Sequence, residues 1–136
     1  MSLVFPLLAQ ILLTLVLIGR LGMMRVAVHR ARQVRFGDVA LSDEAYPEDI
    51  RRAGNNFRNQ FETPVIFYVL CGVAIYVGAT GFVMTLLAWL FVASRVAHSL
   101  IHLTYNRVPQ RFLPFLGGVI VLALMWIFIV ARLVVA

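Results

Sequence analysis

Four long apolar runs divide this chain, and no water-soluble fold of its size can hide them all. They cover about residues 3 to 26, Pro64 to Gly78 behind a polar lead-in that opens near Arg51, Phe82 to about Tyr105, and Phe112 to Ala131. Each supplies enough length for a hydrocarbon core of roughly 30 Å, allowing for tilt. Composition agrees: the chain is 62% hydrophobic, where a soluble domain averages nearer about half. The runs therefore predict an all-α integral membrane protein, a single four-helix bundle over residues 1–136 with helices at about 3–32, 51–79, 82–106 and 110–134. The first run has no basic residue ahead of it and no small-residue cleavage site after it, so it is expected to be a retained helix. The single cysteine, Cys71, lies within a run and is expected to pack as a small hydrophobe.

Charge sets the orientation. The net charge is +6, and every basic side chain apart from histidine is an arginine. Arg25, Arg30, Arg32, Arg35, Arg51, Arg52, Arg58, Arg95, Arg107 and Arg111 all fall at one membrane face, while Arg132 falls at the other and Arg20 lies within the first span. The positive-inside rule then puts both termini on the non-cytoplasmic side and both polar loops in the cytoplasm. The basic residues flank apolar spans and build no separate basic face, so no nucleic-acid partner is expected. The uncharged turn "YVGATGF" predicts an antiparallel hairpin of spans two and three, and Pro109 in "YNRVPQR" favours a fresh helix start.

Two polar stripes break the apolar pattern. On a continuous helix from residue 51, at about 100° per residue, Arg51, Asn55, Arg58, Asn59 and Glu62 share one side, and Pro64 sits nearly opposite as a kink point. On span three, Arg95, His98, His102 and Tyr105 are spaced three, four and three, again one face. Both stripes lie at the cytoplasmic ends of their helices, with Arg111 beside them. Glu62 is the one carboxylate at that depth, so the excess of fixed positive charge points to an anionic ligand; the plainer alternative is a polar network that only glues helices together. His98 and His102 have a spacing that can hold zinc on a helix, but no cysteine or second carboxylate joins them, and no metal is expected. His29 reads as a surface residue near a loop. Ala74 and Gly78, four apart, offer a point of close helix approach for oligomerisation.

The motifs "RNQFETP" and "RVAHSLIHLTYNRVPQR", in register on spans two and three, resemble the MAPEG family, the membrane-associated proteins of eicosanoid and glutathione metabolism. The resemblance covers most of the chain. It implies a homotrimer of four-helix subunits with glutathione as co-substrate, bound at subunit interfaces near the cytoplasmic face, and a lipophilic second substrate that enters from the bilayer. By the same resemblance Arg58, Asn59, Glu62, Arg95, His98 and His102 would contact glutathione and Arg111 would activate its thiol. The expected activity is that of a glutathione-dependent membrane transferase or peroxidase acting on hydrophobic electrophiles. Three positions depart from the family pattern: Asn55 stands where an arginine contacts glutathione, His102 replaces a tyrosine, and Phe115 falls where a tyrosine occurs. Asn55 favours the alternative, a non-catalytic membrane subunit of the same fold whose polar cluster is structural or holds another anionic lipid or metabolite, whereas Arg111 favours the enzyme.

Overall fold

A computed structural model of the protein describes residues 2–135. The first helix, α1 (Val4–Arg30), is uninterrupted because its only proline, Pro6, lies in the first turn, where a missing N–H costs nothing. His29 and Arg30 in the last turn suit the negative end of the helix dipole, and Arg32, with φ of 55°, turns the chain away. A loop with one 3-10 turn (Phe36–Val39) leads to α2 (Glu48–Arg58), which carries Glu48 and Asp49 in its first turn and Arg58 in its last, both favourable to its dipole. A 3-10 turn (Asn59–Phe61) separates α2 from α3 (Thr63–Tyr76). Two long helices follow, α4 (Phe82–Leu103) and α5 (Val108–Val135), with Pro109 in the first turn of α5.

Where the stripe pattern assumes one helix over 51–79, the chain breaks at Glu62, with φ of −99° and ψ of −102°. Pro64 is the cause. Its ring would collide with the carbonyl of Gln60 in a continuous helix, it offers that carbonyl no N–H, and it pushes Thr63 away from helical geometry. At the far end, Gly78 sits in the turn with φ of 70°, and Ala74 is fully buried within the bundle. The Ala74–Gly78 pair is therefore no outward-facing approach point.

Among the described residues three helices, α1, α4 and α5, are long and apolar enough to cross a membrane. Their outer faces expose large apolar side chains such as Leu12, Leu15, Leu90, Trp126 and Ile127, which suits lipid rather than water. The protein is a multi-pass integral membrane protein. Its main core joins Phe67, Cys71 and Ala74 of α3 to Met84, Ala88 and Phe91 of α4 and Leu122, Met125 and Ile129 of α5. Phe67 stacks on Phe91 with ring centroids 4.5 Å apart. A smaller cluster of Leu21, Val34, Tyr46, Ile50 and Ala53, with Leu103 against it, gathers the end of α1, the loop, the start of α2 and the end of α4. Gln10 of α1 donates to Gln60 at 3.2 Å. Together these contacts run α2 and α3 antiparallel to α1 along the length of the bundle.

Candidate functional site

Three chain segments meet where α4 ends: the last turn of α2 with its 3-10 extension, the last turns of α4, and the first turn of α5. Arg52 of α2 donates to the carbonyl of Thr104 at 2.8 Å, satisfying an otherwise orphaned group at the end of α4. Asn106 then takes a left-handed conformation with φ of 48°, which asparagine tolerates better than most residues. Its side chain accepts from Arg111 Nη1 at 2.9 Å. The tight link between α4 and α5 thus hands Arg111 a fixed partner.

His98 and Arg111 are tied through the backbone. The Nδ1–H of His98 donates to the carbonyl of Arg111 at 3.1 Å, so Nε2 faces the other way, toward the Asn59 amide at 3.4 Å. That amide fills the space between His98 and Glu62. Its nitrogen serves one side at a time: facing His98 it lies 3.4 Å from Nε2, and turned about it donates to both Glu62 carboxylate oxygens, at 3.2 and 3.3 Å. His102 stands one turn further, edge-on to His98 with centroids 5.8 Å apart, and its buried Nδ1 has no hydrogen-bond partner among the described residues.

Two cavities open beside these residues. One, of about 360 Å³, is polar and lined by Glu48, Arg51, Arg52, Asn55, His102, Asn106 and Arg111. The other, of about 200 Å³, is lined by Asn59, His98, Val108, Arg111, Phe112 and Phe115, and its walls are mostly apolar. Arg111 is the one residue that lines both. The arrangement can hold an anionic polar molecule on one side and an apolar one on the other, with a guanidinium at the join.

Of the residues singled out by sequence, Asn59, Glu62, His98, His102 and Arg111 are brought together here. Arg95 lies beneath them, 1% exposed, with Nη2 3.5 Å from the carbonyl of Asn59 at the end of α2. A guanidinium at a helix C-terminus suits the dipole, so Arg95 supports the floor of the site rather than its opening. Arg58 is not in the group. It points toward α1 and pairs with Asp43 at 2.5 Å, and Asp43 also pairs with Arg25 at 3.0 Å. Arg58 is drawn away from Glu62, because the charge that answers it comes from the loop. Sequence patterning missed Asp43, Arg52 and Asn106, whose partners are far away or set by a turn. Only Asn106, ahead of "RVPQR", carried a local turn signal.

The loop is itself ordered by His29. Its Nδ1–H donates to Val34 O at 3.0 Å, its Nε2 accepts from the Tyr46 hydroxyl at 3.0 Å, and its ring stacks on Phe36. It is an anchor for the loop rather than a free surface residue.

Searches among curated proteins and among solved structures found no match. A sequence model described as the MAPEG family matches residues 3–131, almost the whole chain, and the protein therefore belongs to the MAPEG family.

Proposed function

We propose that the protein is a glutathione-dependent membrane transferase or peroxidase acting on hydrophobic electrophiles, and that α2 and α3 together form a fourth membrane crossing in the subunit of a homotrimer. The observation that carries this reading is the position of Arg111 between a cationic cavity and an apolar one. Family membership supports it. Glutathione has two carboxylates and an amine. The polar cavity offers Arg51 for a carboxylate, where Asn55 cannot serve, with Arg52 and Glu48 beside it, paired with each other at 2.6 Å. His98, His102 and Asn59 orient the tripeptide, with Glu62 holding the Asn59 amide. The thiol must lose its proton before it attacks, and the Arg111 guanidinium favours the thiolate as cations do for protein cysteines. The electrophile then lies against Val108, Phe112 and Phe115, on the side open to lipid. Attack forms the carbon–sulfur or oxygen–sulfur bond as the electrophile's leaving group or ring oxygen takes the electron pair.

A second reading, a non-catalytic membrane subunit, draws on the Arg58–Asp43 pair and on Asn55, which together remove two arginines from the ligand. Titration of purified protein with glutathione separates the two. Binding to the folded state raises the thermal midpoint by mass action, and an unchanged midpoint at millimolar glutathione would favour the second reading.

A further inference from the structure

Residue 106 answers two demands with different parts of itself. Its backbone closes α4: the N–H donates to Ile101 O at 2.9 Å, and the φ of 48° turns the chain out of the helix toward α5. A glycine would meet that demand at lower cost, since it adopts a positive φ without a Cβ penalty and is the commonest residue just past a helix end. The turn after α3 is made that way, by Gly78 with φ of 70°. The backbone therefore does not explain why residue 106 is an asparagine. Its side chain does. Oδ1 accepts from Arg111 Nη1 at 2.9 Å, and both residues line the polar cavity.

The partner that Asn106 offers is neutral. The charged and titratable groups around the Arg111 head are Glu48, Arg51 and Arg52 of α2 and His98 and His102 of α4. Glu48, the acid among them, is held by Arg52 at 2.6 Å, and Glu62 stands beyond the Asn59 amide. Among the described residues Arg111 takes part in no ion pair. A carboxylate at position 106 would grip the guanidinium more strongly but would also oppose its charge. If the contact served only to hold the α4–α5 link together, aspartate would do better.

We propose that Asn106 is a positioning residue for Arg111, a neutral acceptor that fixes one guanidinium nitrogen and leaves the charge unopposed for the thiolate of glutathione, a role that presupposes the glutathione chemistry proposed above. An arginine head swings on several rotatable bonds. Tying one nitrogen removes much of that freedom before the thiol arrives, so the charge already stands where the anion develops.

The test reads the thiolate of glutathione bound to the purified full-length protein, by its ultraviolet absorbance as pH is varied. Affinity is taken from calorimetry and folding from the thermal midpoint. In the wild type the absorbance is expected to reach half its maximum at least about one pH unit below free glutathione, a roughly tenfold gain in thiolate. Asn106→Gly keeps the turn, so the thermal midpoint and the affinity should hold. Its half-maximum should move up by about half a pH unit, a roughly threefold loss of thiolate. Asn106→Asp keeps the acceptor and should move the half-maximum further up, because a second anion beside the thiol disfavours the thiolate. In an Arg111→Lys background Asn106→Gly should add nothing, since the fork it holds is gone. An unmoved half-maximum in Asn106→Gly, a shift of equal size in the Arg111→Lys background, or a shift that comes with a lowered thermal midpoint would reduce Asn106 to a turn former. A thiolate as strong in Asn106→Asp as in the wild type would also overturn the proposal, because neutrality would not be what selects the amide. Wild-type protein that binds no glutathione at millimolar concentration, or binds it with the thiol of the free tripeptide, would overturn the functional reading and this role with it.

Discussion

Arg111 is held at three points by different parts of the same residue. Its Nη1 donates to Asn106, its carbonyl accepts from His98, and its N–H donates to Arg107 O at 2.9 Å within the first turn of α5. The two backbone bonds survive any substitution, so Arg111→Lys and Arg111→Ala should fold and assemble. What differs is the head. A lysine keeps the charge but not the planar fork that can touch Asn106 and a thiolate together. Both variants should keep most glutathione affinity and lose at least roughly tenfold in turnover, about 1.4 kcal/mol of transition-state stabilisation. The ultraviolet absorbance of bound thiolate should fall with it; wild-type turnover in both variants would reduce Arg111 to a helix anchor. Arg95 poses the opposite case. Among the described residues its hydrogen-bond partner is a neutral carbonyl at the long distance of 3.5 Å and its Nε has none, so that weak bond and the attraction of the exposed Glu62 carboxylate are what offset the cost of burying the charge. Arg95→Met removes that cost without stranding a second buried ion, so stability should change by no more than ~1 kcal/mol. Ligand binding should suffer instead, as Asn59 loses its support. A loss above roughly 3 kcal/mol in a denaturation assay would show that Arg95 is held by interactions stronger than this geometry allows.

The helices themselves were legible wherever the chemistry is local. Apolar length marks α1, α4 and α5, Pro109 marks the start of α5, and the three–four spacing of Arg95, His98 and His102 places all three on the buried side of α4. The stripe on the second span was read on the assumption of unbroken helix, and Pro64 defeats that assumption by ending the helix at the 3-10 turn. Arg58 then leaves the site for Asp43, a partner fifteen residues away in a loop with no periodicity to read. Equally invisible was the closeness of α4 to α5. A Cβ on Gly118 would stand 2.8 Å from Ser94 Oγ, and that hydroxyl is already committed to Phe91 O at 2.7 Å. Gly118→Ala must therefore either turn Ser94 out of its hydrogen bond or push the helices apart, at a cost of about 1–3 kcal/mol. Ser94→Ala removes the obstructing atom, so the double variant should recover most of the loss. Additive losses in a double-mutant cycle would mean that the contact is not what makes glycine necessary.

At the scale of the whole molecule, the arginines and the site belong to the same end of the bundle. The end of α1, the start of α2, the end of α4 and the start of α5 are joined there by the Leu21–Tyr46–Ile50 cluster with Leu103, and by the Arg52–Thr104 bond. Arg30, Arg32, Arg35, Arg51, Arg52, Arg107 and Arg111 are carried by these segments, whereas Arg132 lies in the last turn of α5 at the opposite end. Retention of arginine-rich segments in the cytoplasm during insertion then orients the entire bundle, because its two polar connections lie on one side. Both termini should be non-cytoplasmic, and the cationic cavity should open to the cytoplasm, where a water-soluble thiol could reach it. A reporter that works only in the cytoplasm, fused after Ala136, should be silent, and the same reporter inserted in the loop after Leu41 should be active. The loop insertion guards against a fusion that merely fails to express. The reverse pattern would turn the cavity to the other compartment, and with it the source of any glutathione that the site could use.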